Sequence, residues 1–346
     1  VKCEAWIGGR RVASDLPVIS ATVAGDASNF VRRSASLSFA DDSTNGLESL
    51  AKVLALPGCE VRAWSGARVE GRDLLLPVHW GMAENPKWSW PDRTITLTSQ
   101  DMAIRVAMDR FTKPRRSTRG FTVAQQIGAL VRESLGTTTR FADQSGDSTA
   151  VADVVWDRDR NDAVTQLAAS IGCETFWRPD GVWVLRRVSS VIGVAAHRVR
   201  EGVSLVDASV ETDWSSVRNH WVATAERADG TALFGEDFDN DPVSPTYVFG
   251  PMGRRTGFYA SSLFTTSGQC VTAARALRYR SQGARVSVGY TGLAHPGVES
   301  GDRHNVVVDG TTRRLLLDSF SLDLFAATMT GQARLASNID VTEGAE

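Results

Sequence analysis

The stretch "HPGVESGDRH" (295–304) places two histidines, a glutamate and an aspartate within ten residues. Imidazoles and carboxylates ligate zinc and non-haem iron, and a carboxylate beside an imidazole is also acid/base machinery. A metal site needs such groups to converge on one point, usually from more than one element. Pro296-Gly297 and Ser300-Gly301 are instead strong turn formers, and His304 opens the alternating run "HNVVV". The spacing therefore predicts a sharp bend leading into a strand, with no metal at His295, Glu299, Asp302 or His304. Within the bend, Gly301 is expected at positive φ, which glycine adopts without a Cβ clash. Asp302 is expected to accept backbone N–H groups.

Other stretches with suggestive chemistry fail at defining positions. "DFDNDP" puts Asp237, Asp239 and Asp241 at the first, third and fifth places of a calcium loop. Pro242 then stands where glycine is needed and Val248 where a bidentate glutamate is needed, so a solvated acidic loop is expected. "SGDST" contains Gly146-Asp147-Ser148, but Thr149 stands where a serine-protease nucleophile would be followed by glycine. No G-x-S-x-G, H-E-x-x-H or phosphate-loop pattern occurs. The five histidines, at 79, 197, 220, 295 and 304, offer no nucleophile–base pair. No catalytic residue and no cofactor is expected. Trp88 and Trp90, two apart, could form a sugar-stacking platform; packing in a core or a subunit interface is the plainer reading. Lys113, Arg115, Arg116 and Arg119 read as a solvated basic connector.

The elements that would position these residues divide the chain in three. It has 346 residues, too many for one ordinary core. Its 38 basic and 40 acidic residues leave a net charge of −2, which excludes a dedicated nucleic-acid binder. No apolar run is long enough to span a membrane, and the start "VKCEAWIGGRR" lacks a signal-peptide pattern. Cys3, Cys59, Cys173 and Cys270 are far apart and form no C-x-x-C pair, so buried free thiols and folding in a reducing cytoplasm are expected.

Residues 1–103 alternate with period two. In "SASLSF" Ala35, Leu37 and Phe39 share one face, and in "TITLTS" Ile95 and Leu97 do. This predicts a small antiparallel β-barrel or sandwich. Residues 104–190 read as a mixed α/β unit. Thr122 and Gln125 make a capping-box pattern before a helix ending at Gly136, a second helix stops at Gly172, and a hairpin turns at Pro179-Asp180-Gly181. "SSVIGVAAH" reads as a linker. Residues 191–346 return to strands around a helix with Val271, Ala274 and Leu277 inward, and a hairpin turns at Asp309-Gly310. The fold class is α+β, mostly β.

In order along the chain, several segments resemble one family. "DRDRNDAVTQLAASIGCETFWRPDGVWVLRRV", "SSVRNHWVATAE", "DPVSPTYVFGPMGRR" and "HPGVESGDRHNVVVDGTTRRLLLDSFSLDL" resemble the bacteriophage tail-hub (baseplate-hub, late-control-like) proteins. "LPGCEVRAWSG" and "TLTSQDMAIRV" are similar to minor tail proteins of actinobacteriophages. The resemblance implies two tube-type β-barrel domains, 1–103 and 191–346, flanking a middle domain, 104–190. It implies a homotrimer whose six similar domains form a pseudo-sixfold ring at the distal end of the tail, in a virion assembled in the host cytoplasm. The ring would meet a hexameric tail tube or distal tail protein, the tape measure protein and a central spike or fibre, and DNA would pass through its channel without specific binding. In such a protein His295, Pro296, Gly301 and Asp302 form a structural turn. The chain ends soon after its last β-run, so no appended hydrolase or spike is expected. A carbohydrate- or receptor-binding tail protein and a peptidoglycan hydrolase are the alternative readings.

Overall fold

One-sided burial fixes the strands. In β4 (Arg33–Ala40) every second residue is buried, and in β7 (Thr94–Asp101) Ile95, Leu97, Ser99 and Asp101 are. That is the period of a pleated sheet with one wet face. The computed structural model describes residues 1–40, 47–89, 91–188, 195–215, 217–226, 230–261, 264–283, 286–308 and 310–335. The first part is built from β1 (Lys2–Ile7), β2 (Arg10–Ala13), β3 (Val18–Asp26), β4, α1 (Leu47–Leu54), β5 (Cys59–Val69), β6 (Arg72–Ser89) and β7.

The middle part follows with α2 (Ala103–Met108), β8 (Arg115–Arg116), α3 (Val123–Leu135), β9 (Arg140–Gln144), β10 (Val155–Trp156), α4 (Arg160–Ser170), β11 (Cys173–Trp177) and β12 (Val182–Arg187). Thr122 caps α3, and its hydroxyl and the Gln125 amide exchange bonds with each other's backbone N–H. Gly181, at φ +83°, turns the β11–β12 hairpin, and β9 joins β12 in parallel. Arg115 and Arg116, expected in a solvated connector, form β8 against β10 and pair with Glu133 and Asp153. Helices and hairpin close over a core that includes Ile127, Leu130, Leu167, Trp183 and Leu185.

The last part contains β13 (His197–Arg200), β14 (Leu205–Thr212), β15 (His220–Glu226), β16 (Ala232–Phe238), β17 (Thr256–Ala260), α5 (Ser267–Gly283), β18 (Val286–Leu293), β19 (Arg303–Val308), β20 (Thr311–Asp323) and β21 (Thr328–Leu335). Strands β16, β15 and β17 make a separate three-stranded sheet packed on α5. The segment between β15 and α5 thus carries two further strands. The buried face of α5 is set by Cys270, Ala273 and Ala274, continued by Arg278 and Gln282. Val271 and Leu277 are only half-buried, because the sheet offers that helix a polar patch as well as an apolar one.

The remaining strands of both ends of the chain form one sheet, in the order β14-β18-β21-β20-β3-β4-β7-β6-β5-β1-β2, with β19 on β20 and β13 on β19. Among the described residues neither half closes into a barrel. Instead the edge of β20 pairs with β3, Leu322 opposite Val23, and one core runs from Cys3 to Ala333. The strand order repeats. The first half reads β3-β4-β7-β6-β5-β1 and the second β14-β18-β21-β20-β19-β13. Even the irregularities recur. β3 bulges between Val18 and Ser20 and β14 between Leu205 and Asp207, while β6 bulges between Glu84 and Lys87 and β20 between Leu317 and Ser319. The wet face of the sheet is rich in hydroxyls, among them Thr22, Ser36, Thr96, Thr98, Ser321 and Thr330.

Candidate functional site: the 295–304 turn

The turn connects β18 to β19 through two tight bends. Val298 donates to the His295 carbonyl at 3.1 Å across Pro296-Gly297, and Asp302 donates to the Glu299 carbonyl at 3.1 Å across Ser300-Gly301. Gly301 has φ +88°. The Asp302 carboxylate accepts the Glu299 N–H at 3.0 Å, and Gly301 and Asp302 bond to the backbone of Leu317 in β20. A Cβ at Gly301 would meet the Arg186 guanidinium, which would have to move aside.

Around this turn a buried ionic network joins all three parts of the chain. Arg33, at the start of β4 and 3% exposed, donates to the carbonyls of Val78 at 2.6 Å and Val298 at 2.7 Å and pairs with Glu299 at 2.8 Å. Its own N–H donates to Asp101 at 2.7 Å. From the middle part, Arg186 on β12 bonds Glu174 on β11 at 2.6 Å, reaches the Ser300 carbonyl at 3.3 Å and lies 3.6 Å from Asp302. Arg32 completes the chain of contacts, bonding Glu174 at 2.7 Å. Burial pushes the carboxyls of Glu299 and Asp302 up, and that of Asp101 up to about 7. Burial acts the same way on Glu174, but Arg32 and Arg186 outweigh it and hold that carboxyl below its ordinary range.

The histidines of the turn meet a third from another strand. Strand β13 runs parallel to β19 with His197 opposite His304. The His197 ring lies 4.3 Å from that of His295 and 5.3 Å from that of His304, centroid to centroid. The first pair of rings is tilted and the second meets edge to face, and His197 Nε2, His295 Nδ1 and His304 Nε2 are buried without a hydrogen-bond partner. His304 Nδ1 is hydrogen-bonded to the Tyr290 hydroxyl at 2.6 Å. Among the described residues no group of three or more His, Cys, Asp or Glu is arranged to hold a metal ion.

Burial depresses the imidazoles of His197 to about 4 and His304 to about 3, with the neighbouring histidines adding to the effect. Burial also takes His79, hydrogen-bonded to Ser99 at 2.7 Å, to about 3, with Arg33 adding to it. A histidine with a folded pKa below its unfolded value of roughly 6.5 costs nothing above that pH and destabilises the fold as pH falls below it. Ring NMR signals of these three histidines are expected to stay flat from pH 8 to pH 5. A midpoint above 6 for any of them would show that its ring is solvated.

The remaining candidates lie elsewhere in the fold. Asp237 pairs with Arg278 at 2.6 Å, and Asp239, 4% exposed, accepts from Gln282 at 2.7 Å and from Ser244 and Thr246. These two carboxylates tie α5 to its sheet, while Asn240, Asp241, Pro242 and Val243 are exposed. Asp147 accepts the Thr149 N–H inside a loop. Trp88 is 42% exposed, and its expected companion Trp90 lies outside the described residues, as does most of the linker, 189–194. All four cysteines are buried free thiols. No helix among the described residues is long and apolar enough to cross a membrane.

Sequence reasoning passed over Arg33, Asp101 and His197. A signal was present: each lies in the buried phase of its strand, Arg33 with Ala35 and Leu37, Asp101 with Leu97 and Ser99, His197 with Val199. A charged residue in an apolar phase announces a buried partner.

No family model and no curated protein matches the sequence. Solved structures match it over nearly its whole length. The tail protein from Neisseria meningitidis MC58 is similar with a TM-score of 0.66 at 15% identity, over 99% of this chain and 98% of that one. The 43 kDa tail protein of prophage MuSo2 from Shewanella oneidensis gives 0.61 at 13% identity, over 98% and 100%. Prophage tail protein gp18 from Listeria monocytogenes gives 0.61 at 10% identity, over 98% and 96%. The chain has the fold of these phage tail proteins.

Proposed function

We propose that the protein is a structural hub subunit at the distal end of a phage tail. Three copies form a ring of six similar β-units that joins a hexameric tail tube to the tail tip. The observation that carries this reading is the repeated strand order, with the two repeats joined edge to edge in one sheet. Doubling a unit within each chain is a direct way for three subunits to present six similar edges. The resemblance read from the sequence and the fold shared with phage tail proteins support it. The domains are then 1–103, 104–190 and 191–346, with the two outer ones lining the channel. The hydroxyl-rich face of the sheet suits that place, since a neutral wall lets a polyanion slide where a basic one would hold it. The 295–304 turn, with His295, Pro296, Gly301 and Asp302, works as a brace between the β-units and the middle domain rather than as a chemical site. The tape measure protein and a central spike or fibre are the expected neighbours along the axis, and no reaction is assigned to the chain.

The test is mass determination of the full chain, alone and with purified tail tubes, followed by electron microscopy of the mixture. Trimers capping one end of the tube are expected. A monomer that ignores tube ends and binds soluble glycan would overturn the hub reading in favour of a carbohydrate-binding one.

A further inference from the structure

The repeated sheet leaves two strand edges that correspond to the two edges already joined inside the chain. On its outer side, β20 pairs first with β19 and then, over Ser319–Asp323, with β3. Its counterpart β6 pairs with β5 only up to Met82; among the described residues the same edge beyond Met82 has no strand beside it. Likewise β14, the counterpart of β3, has a neighbour, β18, on one side only over 207–212. Unpaired edges are templates for another chain.

We infer that the 87–89 edge of β6 in one copy pairs antiparallel with β14 of a second copy, in the register of the internal β20–β3 junction. This rests on the ring reading above. The register follows from the ladders. Leu322 pairs with Met329, Met329 with Gly292 and Gly292 with Leu205, the residue before the β14 bulge. In the first repeat Trp88 pairs with Ile95, Ile95 with Phe39 and Phe39 with Val18, the residue before the β3 bulge. Trp88 is therefore the counterpart of Leu322, and Val210 the counterpart of Val23.

Carried to these two edges, the Leu322–Val23 pairing sets Trp88 opposite Val210, Lys87 opposite Glu211 and Ser89 opposite Ser209. These are an aromatic with a β-branched residue, an ion pair and a hydroxyl pair, all favourable cross-strand combinations. Exposure points the same way. Leu322 and Val23 are both 0% exposed in the internal junction, whereas Trp88 and Val210 are 42% and 51% exposed at the ends. The contact is head-to-tail, so each copy offers one edge of each kind and the series ends only by closing on itself.

The test uses the full chain with Ser89→Cys and Ser209→Cys together; the four native thiols are buried and stay out of the reaction. Under mild oxidation the double variant is expected to give a covalent three-chain species on non-reducing gels. A control carrying Ser89→Cys with Val210→Cys, whose second thiol falls on the other face of the strand, should give at least tenfold less. Lys87→Glu should weaken assembly severalfold, and adding Glu211→Lys should restore it. Trimers that form without linking 89 to 209 overturn this interface and leave the hub reading standing. A chain that neither trimerises, alone or on tubes, nor cross-links overturns both.

Discussion

Arg33→Ala is expected to lose about 3–5 kcal/mol of folding stability, the usual scale when one partner of a buried ion pair is removed. Arg33 is nearly fully enclosed, and its guanidinium serves Val78, Val298 and Glu299 at once. Truncation leaves two carbonyls and a carboxylate without their donor in a dry site. The loss should depend on pH. Burial already raises the carboxyls of Glu299 and Asp101, and Arg33 opposes that rise in both. A group whose folded pKa is raised stabilises at low pH, and that contribution disappears as pH climbs through the folded value. Without Arg33 both carboxyls rise further, so the variant should lose less at pH 5 than at pH 8. Urea melts at the two values decide the matter. A loss below about 1 kcal/mol, or an equal loss at both, would mean that water reaches this network.

The second large effect belongs to Gly301. Valine there must adopt φ +88° and displace the Arg186 side chain. Backbone strain of this kind costs about 1–3 kcal/mol, and moving Arg186 also disturbs its contacts with Glu174 and Asp302. Gly301→Val is therefore expected to lose about 3 kcal/mol and to assemble poorly into tails. Combining it with Arg186→Ala separates the two causes, because room is restored while the dihedral strain remains. His295→Ala, at a half-buried ring in the same turn, should lose less than about 1 kcal/mol and assemble nearly normally, as is typical away from a specific structural constraint. Tails that lose activity with His295→Ala, though folded and assembled, would reveal chemistry at the turn.

Local signals in the sequence were faithful where one interaction dominates. The alternation of Ala35, Leu37 and Phe39 reports a single buried face, and Thr122–Gln125 reports a cap that closes within four residues. Gly181 and Gly310 both sit at positive φ, where their hairpins turn. What lay hidden is long-range. Nothing near Asp26 tells it to face Ser319, and no short window shows that β13 sets His197 beside His304. Burial of Arg33 depends on carbonyls contributed from Val78 and Val298. The expected pair of closed barrels came from reading each half alone; an edge shared between the halves has no local signature. The inward face of α5 was only partly legible, Ala274 being buried as expected, since its polar anchors Arg278 and Gln282 answer to Asp237 near the end of β16 and to Asp239 just beyond it.

The sheet on which α5 packs is spliced into a hairpin. The chain leaves the large sheet at Thr212 and re-enters at Val286, and those two residues are paired neighbours on β14 and β18. Exit and entry are thus a strand's width apart, so whatever lies between them imposes no register on the strands that flank it. Residues 213–285 are in this sense an accessory bolted onto a turn. Evolution could enlarge, trim or exchange it to suit a different neighbour while the scaffold beneath kept its ladder, and an engineer could use the same splice point to carry cargo.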